Sequence, residues 1–168
     1  MPEIKRLIDN ADVVPGSITG SAIAAGTITG SNVAANTLSN AQIGLANSAA
    51  SVVTSAVSTT STTAYSTVAS ISFTPTKTGK VLVIGRMAVY NNTAGDGVSV
   101  ELLNGSTAID GPFTLLSSAA SQLQVATLIS LQTGLTVGTA YTFSTAIEAV
   151  TGGTAYGTST LIAMELLA

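Results

Sequence analysis

The ionisable side chains of this sequence offer little for acid–base or nucleophilic chemistry. The chain has 168 residues and contains no His and no Cys. A Ser or Cys nucleophile activated by His is therefore excluded, as are disulfides and the usual ligands of zinc, haem and iron–sulfur centres. Eight carboxylates remain as candidates for a general acid and base, but none lies in a recognisable motif. We expect a protein that is not an enzyme and needs no metal or cofactor.

Charged residues in the second half have structural interpretations that we favour over functional ones. Glu101, Glu148 and Glu165 fall at polar positions of alternating segments, which predicts solvated or interface faces. Asp96 lies between two glycines and lacks the further acidic ligands of a calcium loop, so we interpret it as a turn residue. Arg86 stands alone among apolar residues, and we expect it to pair with a carboxylate across strands or subunits.

The composition indicates a subunit of an assembly. Hydrophobic residues make up 46% of the chain and charged residues only 8%, against about 25% charged in ordinary soluble domains. This balance argues against disorder, and five basic residues with a net charge of −3 argue against nucleic-acid binding. A chain so poor in charge would expose sticky surface as a monomer, which predicts a stable oligomer.

Neither a secretory signal nor a membrane span is expected. The first residues carry several charges and lack the apolar core of a signal peptide. The longest apolar runs, residues 81–84 and 161–164, have the length of strands rather than the roughly 18 residues of a spanning helix. We therefore expect synthesis in a cytoplasm and no insertion into a membrane.

Residues 1–14 form a candidate docking arm. Apolar Ile4, Leu7 and Ile8 recur at helical spacing and are interleaved with the basic residues Lys5 and Arg6. This pattern predicts a short amphipathic segment that docks on the surface of a partner. The alternative is a frayed terminus.

Large aliphatic residues recur every five positions in residues 15–45, within a neutral stretch of 64 residues between Asp12 and Lys77. A period of five fits neither a helix nor a long strand, but it suits very short strands separated by Gly and Asn corners. Six pentads are too few to close the core of a monomeric solenoid, whereas three chains around a shared axis would bury three side chains per rung. The predicted trimer core of this β stem is Ile18, Ile23, Ile28, Val33, Leu38 and Ile43.

The rest of the chain divides into a linker and an all-β head. Residues 46–63 are rich in Ser, Thr and Ala, which predicts a linker. Residues 64–168 contain about eight strand-like segments with turns every 8–14 residues, which predicts an antiparallel β-sandwich or jelly roll.

Several features of the head are predicted in more detail. Residues 81–90 are apolar on both faces, as in a fully buried strand. Asn104 and Gly105 predict a tight hairpin, and residues 110–112 a loop. One inward face is predicted for each of two alternating segments: Leu123, Val125, Thr127, Ile129 and Leu131 in the first, and Tyr141, Phe143, Thr145, Ile147 and Ala149 in the second.

Two parts of the chain resemble known viral architectures. The runs at residues 15–21 and 25–33, Pro-Gly-Ser-Ile-Thr-Gly-Ser and Ala-Gly-Thr-Ile-Thr-Gly-Ser-Asn-Val, resemble the stems of bacteriophage fibre and head-decoration proteins. That family implies a trimeric β-structured stem carrying a globular head. Residues 141–144 and 159–166 resemble the last two strands of trimeric jelly-roll heads related to tumour necrosis factor and complement.

The resemblance implies a structural virion protein. A homotrimer would decorate the capsid as a head fibre, with the arm residues Ile4, Lys5, Arg6, Leu7 and Ile8 docked on the major capsid protein or another virion protein. The expected location is the capsid surface, after assembly in the host cytoplasm, and the head is a candidate for weak binding to host cell-surface glycans.

Other readings remain open. A tail-fibre or baseplate tip that binds a host receptor or glycan would share the architecture, although such chains are usually longer. A pentapeptide-repeat solenoid and an ice-binding threonine array share features of the stem but usually have more rungs. A glycan depolymerase is disfavoured because no paired acidic motif is present.

Overall fold

The structure is a computed structural model, and it describes Ile23 and residues 47–167. The compact unit that contains residues 47–167 runs from Gly44 to Ala168. All regular secondary structure in the described residues consists of β-strands. The strands are β1 Ser48–Thr59, β2 Ser66–Phe73, β3 Val81–Asn91, β4 Gly97–Asn104, β5 Thr107–Leu116, β6 Gln124–Gln132, β7 Tyr141–Ala149 and β8 Ala155–Glu165.

These strands form a β-sandwich of two four-stranded antiparallel sheets. Sheet A has the order β1-β8-β3-β6, and sheet B has the order β2-β7-β4-β5. The chain changes sheet at every connection except the β4–β5 hairpin, a winding that fits an eight-stranded jelly roll. The all-β sandwich predicted from the alternating segments is confirmed, including the hairpin turn at Asn104 and Gly105.

The core lies between the facing sheets and follows the two-residue period of the strands. In β3, Val81, Val83, Met87 and Val89 are fully buried, while the intervening side chains point out of the sandwich. Sheet B supplies the opposite wall, where the Phe73 and Phe143 rings meet with their centroids 6.5 Å apart. The predicted inward face of β7 is confirmed, since Phe143, Thr145, Ile147 and Ala149 are buried.

The linker predicted for residues 46–63 differs from the structure, because Ser48–Thr59 is strand β1 at one edge of sheet A. It pairs with β8 from Ser48 opposite Met164 to Thr59 opposite Ala155, with an irregularity between Val53 and Val57. Its Ser-rich sequence looked like a linker because an edge strand needs few large apolar side chains. Pairing with β8 supplies the backbone hydrogen bonds that the composition does not show.

Two further expectations for the head are corrected. The loop predicted at residues 110–112 lies within strand β5, which accommodates Gly111 and a cis Gly111–Pro112 peptide through register irregularities opposite β4. The predicted inward face of β6 points outward instead, and the strand turns Leu128 into the core. Register decides this, because a shift of one residue exchanges the two faces of a strand.

The antiparallel pairing gives the sandwich two distinct ends. The proximal end contains Asn47 and Glu165 together with the β2–β3, β4–β5 and β6–β7 loops. The distal end contains the β1–β2, β3–β4, β5–β6 and β7–β8 loops. Because the chain reaches β1 through Asn47, the distal loops lie at the end of the sandwich that is farthest from this residue.

The predicted arm and stem lie outside the described residues, apart from Ile23. Ile23 is 39% exposed in this single chain, and its burial between three chains stays a prediction. No helix with the length and hydropathy to cross a membrane occurs in the part of the chain that the structure describes.

Candidate assembly face

The outer face of sheet A is apolar across neighbouring strands near the proximal end. Pairing places Leu82 of β3 between Met164 of β8 and Leu131 of β6. The next row toward the distal end has Ile84 between Ile162 and Ile129. Side chains directly opposite one another in antiparallel strands lie on the same face, so these six residues form one continuous surface.

The outer face of sheet B is more polar than that of sheet A. Its strands alternate apolar residues toward the core with polar residues outward, and the outward set includes Ser70, Ser72, Ser99, Glu101, Thr142 and Ser144. Ser70, Ser72 and Thr142 of this set are exposed, whereas Ser99, Glu101 and Ser144 are buried. Sheet A differs from sheet B, because both of its faces are apolar.

The apolar residues along strand β6 are strongly exposed. Ile129 is 56% exposed, Leu131 54%, Val125 50% and Leu123, just before the strand, 64%. Val52 on β1, at the other edge of the same face, is 64% exposed. Single exposed apolar residues are ordinary, but a contiguous patch on a folded domain indicates a surface that another molecule covers.

The edge of β6 is protected against pairing with a further strand at the middle of this patch. Asp110 of β5 reaches across to β6, where its Oδ2 accepts a hydrogen bond from the backbone N–H of Ile129 at 2.7 Å. A carboxylate that occupies a free N–H of an edge strand blocks the addition of another strand there. The patch is therefore suited to contact through side chains, face on.

A hollow interrupts the face toward its distal half. Its lining comes from three strands, with Val52 and Thr54 on β1, Arg86 and Ala88 on β3, and Thr158 and Thr160 on β8. Among the described residues no carboxylate forms an ion pair with Arg86. A partner from another subunit stays a prediction.

Beyond the hollow, the face ends in an aromatic pair. Tyr90 of β3 and Tyr156 of β8 are cross-strand partners whose rings stack 4.8 Å apart at 13°. Both side chains are half-buried, so this pair forms a rigid rim at the distal edge of the face. Tyr90 and Tyr156 thus pack against each other.

The distal loops are tied to one another by hydrogen bonds. The buried Asn91 side chain donates to the carbonyls of Gly97 and Gly152 at 3.1 and 3.0 Å. Asn92 Oδ1 accepts from the Thr154 backbone N–H at 2.7 Å, which joins the β3–β4 and β7–β8 loops. The β5–β6 loop joins the same network through Ser117, which exchanges backbone hydrogen bonds with the β3–β4 loop. These loops therefore present a preorganised polar surface.

Two of the carboxylates, Glu101 and Glu148, lie near each other on adjacent strands of sheet B. Glu101 is buried on the outer side of sheet B, where burial and the nearby charge of Glu148 raise its pKa. Burial also raises the pKa of Tyr65, whose hydroxyl lies 2.6 Å from Ser99 Oγ. No cluster of three or more His, Cys, Asp or Glu side chains occurs among the described residues.

Glu165 was predicted on a solvated or interface face. In the structure Glu165 ends strand β8, and its side chain is buried against the β2–β3 loop. Its Oε1 accepts from the backbone N–H groups of Lys77 and Thr78 at 2.8 and 2.6 Å and of Gly79 at 3.3 Å, and its Oε2 accepts from Thr76 at 2.8 Å. Burial alone would raise the pKa of Glu165, but these donors outweigh it and lower the pKa to about 2. Glu165 is thus a structural latch of the proximal end.

The sequence analysis missed the outer face of sheet A, although two signals pointed to it. The apolar side chains on both faces of residues 81–90 were read as complete burial within one chain. The alternating apolar set of β6 was assigned to the core for the same reason. A strand can be apolar on a second face because another subunit covers it, and the local sequence does not distinguish these cases.

Comparison with known proteins leaves the family of this chain open. No protein-family model and no curated protein matches it. The solved structure of the Stig cyclase Fisc from Fischerella sp. TAU is 16% identical, with a TM-score of 0.39, over 55% of this chain and 52% of that one. The structure of Eiger TNF from S. frugiperda is also 16% identical, with a TM-score of 0.27, over 56% of this chain and 63% of that one. The chain thus spans about half to two thirds of these structures, and likenesses this weak carry no argument about function.

Proposed function

We propose that this chain is a structural virion protein, a homotrimer that decorates the capsid as a head fibre. The observation that carries the proposal is the apolar outer face of sheet A, because an isolated subunit would leave it in water. A second copy of the same chain is the simplest partner, because identical copies are present wherever the protein is made. An oligomer of such copies can cover the apolar face without any other protein.

The placement on a virus particle rests on the sequence. The pentad residues from Ile18 to Ile43 would hold three stems together, and the arm at residues 1–14 would anchor the trimer to the major capsid protein or another virion protein. The distal loops lie at the end of the sandwich opposite Asn47.

The first test is the mass of the purified full-length chain in solution. Light scattering should give about three times the 16.6 kDa monomer mass. A trimer agrees with the shared stem and with a covered sheet face. A clean monomer at micromolar concentrations would contradict both, and the fibre proposal would then be abandoned.

Immunogold electron microscopy tests the location. Antibodies against the purified chain should label the heads of virus particles from lysates that contain the protein. Label confined to the tail would replace capsid decoration by the second candidate below, while absence of label from every particle would overturn the virion role.

A second candidate function is host recognition by a tail-fibre or baseplate tip. The hydrogen-bonded distal loops favour it, because they hold hydroxyl, amide and glycine groups in fixed positions. Preorganised polar loops lose little entropy when they bind a polar ligand such as a glycan. Retention of the trimer on immobilised host-surface polysaccharide, lost on replacing Asn92 by Ala, would support this candidate.

A further inference from the structure

The hollow in the outer face of sheet A is shaped to take a side chain. Its volume is about 260 Å³, somewhat below the roughly 300–1,000 Å³ of typical small-molecule sites. Ala88, Thr158 and Thr160 form a floor of small residues between the Ile84–Ile162 row and the Tyr90–Tyr156 stack. A pocket set in an apolar face is the geometry that receives an anchor residue in protein interfaces.

A candidate anchor lies on the seam, the side of the sandwich where β5 of sheet B and β6 of sheet A meet. Phe113 of β5 is opposite the fully buried Val100, so it lies on the core-facing side of its strand. It is nevertheless 50% exposed, because β5 is an edge strand. A half-exposed phenylalanine on a core-facing position is available to a pocket on another molecule.

The charges of the two surfaces are complementary. Arg86 is the one charged residue at the outward positions of sheet A, within the described residues. Among the described carboxylates, Asp110 is the one at the seam, because Asp110 is on the edge strand β5 and contacts β6. Glu165 is enclosed, Asp96 is distal, and Glu101 and Glu148 are on the inner strands β4 and β7 of sheet B. Asp110 already accepts from Ile129 and Gly111, which leaves about two of its four lone-pair positions free.

Symmetry favours contact between these two different surfaces. In a twofold dimer joined face to face over the hollow, Arg86 of each copy would approach Arg86 of the other within an apolar contact. Two like charges brought together out of water are strongly unfavourable. A contact of the face with the seam instead brings Arg86 to Asp110 and covers both apolar surfaces.

We propose that copies of this chain pack seam against face, with Phe113 of one copy in the hollow of the next. There the ring lies against the Arg86 guanidinium, a cation–π contact, and Asp110 of the same seam pairs with that Arg86. This inference rests on the self-association proposed above and names the surfaces that make it. A contact between unlike surfaces repeats from copy to copy, and a rotation of 120° between copies closes it into the ring that a trimer requires.

Disulfide trapping tests the arrangement, because the chain has no native Cys. Val52 lies on the rim of the hollow, and the variant carries both Val52→Cys and Phe113→Cys. Val52 is on β1 at one edge of sheet A, and Phe113 is on β5, across the seam from the opposite edge strand β6. Three strand spacings, about 14 Å, already separate β1 from β6, whereas a disulfide needs Cα atoms within about 7 Å. Any bond between these two positions therefore joins different copies, and mild oxidation should give covalent trimers on a non-reducing gel.

The matched control carries Val52→Cys with Leu116→Cys. Leu116 belongs to the same strand β5 and is 64% exposed, but it is opposite Gly97 on the outer side of sheet B. We expect no covalent oligomers from this variant. Covalent dimers from Val52→Cys alone would indicate face-to-face packing and would overturn the proposal.

The cross-linking result and the solution mass together distinguish a failure of this packing from a failure of the proposed function. A mass of three chains without cross-linking of the Val52→Cys, Phe113→Cys variant refutes the packing but leaves the trimer intact. A monomeric wild-type chain refutes both. As a second measurement, Phe113→Ala should weaken association at least tenfold, while Leu116→Ala leaves it unchanged within threefold. Equal effects of the two substitutions would refute the anchor role of Phe113.

Discussion

Glu165 shows how one buried charge holds the proximal end of the sandwich together. Its carboxylate accepts hydrogen bonds from four successive backbone N–H groups between Thr76 and Gly79. Gly79 has a φ of +66°, and a Cβ there would lie 2.0 Å from the Leu135 carbonyl oxygen, so the loop needs glycine at this position. The contact joins the end of β8 to the start of β3, next to the residue through which the chain reaches β1.

Because the ionised carboxylate of Glu165 holds the β2–β3 loop, the free energy of unfolding at acid pH depends on the protonation of Glu165. Its pKa is lowered to about 2 from an ordinary value of 4.5, so its contribution is present above pH 4.5 and is lost as the pH falls toward 2. Glu165→Gln should lower the free energy of unfolding by about 2 kcal/mol at pH 7, the value of charge-assisted hydrogen bonds. Urea unfolding of both proteins between pH 7 and pH 2 measures this difference.

The gap between wild type and Glu165→Gln should close as the pH falls below 4.5, because the wild-type carboxylate becomes protonated. Glu148→Gln serves as the control, since it removes a charge from a strand position without loop donors. A gap that stays constant down to pH 2 would show that packing rather than charge makes the difference.

At the scale of the elements, strands β3, β8 and β6 each supply two apolar faces. One face of each strand builds the core, and the other builds the outer face of sheet A. In β6 the outward set is the more apolar one, since Val125, Ile129 and Leu131 point out while Gln124 and Ser130 belong to the other set. The element therefore contributes more apolar surface to the proposed interface than to the core of its own domain.

Ile129→Lys tests the role of this face. Burial of an unpaired ammonium in an apolar contact costs several kcal/mol, so the substitution should weaken association at least a hundredfold. The fold should persist, because the Ile129 side chain is more than half exposed and surface changes cost about 0.5 kcal/mol or less. Sedimentation equilibrium measures the first effect and near-ultraviolet circular dichroism the second.

Thr142→Lys on β7 is the matched control, since Thr142 is an exposed strand residue on the outer side of sheet B. This variant should keep the wild-type mass. An association constant that Ile129→Lys leaves unchanged, or that both variants lower equally, would exclude sheet A as the assembly face.

For the whole molecule, association has two proposed sources, the pentad stem and the outer face of sheet A. Each rung of the stem would bury three aliphatic side chains at about 25 cal/mol per Å² of apolar surface. The two sources would act in one assembly, so that the contact formed by one raises the effective concentration for the other. The relative weight of the stem and the head then decides at what concentration the trimer dissociates.

The double substitution Ile23→Asp with Ile28→Asp separates these sources. Six carboxylates would meet at the stem axis of a trimer, so we expect monomers at concentrations where the wild type is trimeric. Light scattering on the full-length chain measures the mass. An unchanged mass would refute the stem as the trimer core and leave the head as the site of association.

Much of the head could be predicted from the sequence, because its alternating segments follow a strict two-residue period. The boundaries of β3 and β7, the hairpin at Asn104 and Gly105 and the inward face of β7 all followed from local patterns. Strand β1 could not be predicted in this way, since its Ser-rich sequence forms a strand only where β8 offers pairing. The latch of Glu165 joins residues almost ninety positions apart, a contact that no local pattern records.

By itself, the sequence determined the chemistry that is absent and the class of fold. Without His and Cys there is no nucleophile activated by His and no thiol chemistry, and the periodicity of residues 64–168 requires paired strands. Only the tertiary structure decided which apolar set of each strand belongs to the core. The reason is physical, because a strand presents two equivalent faces, and the register and the opposing sheet determine which of them is buried. The exposed face of sheet A, on which both proposals rest, therefore became visible only in the folded sandwich.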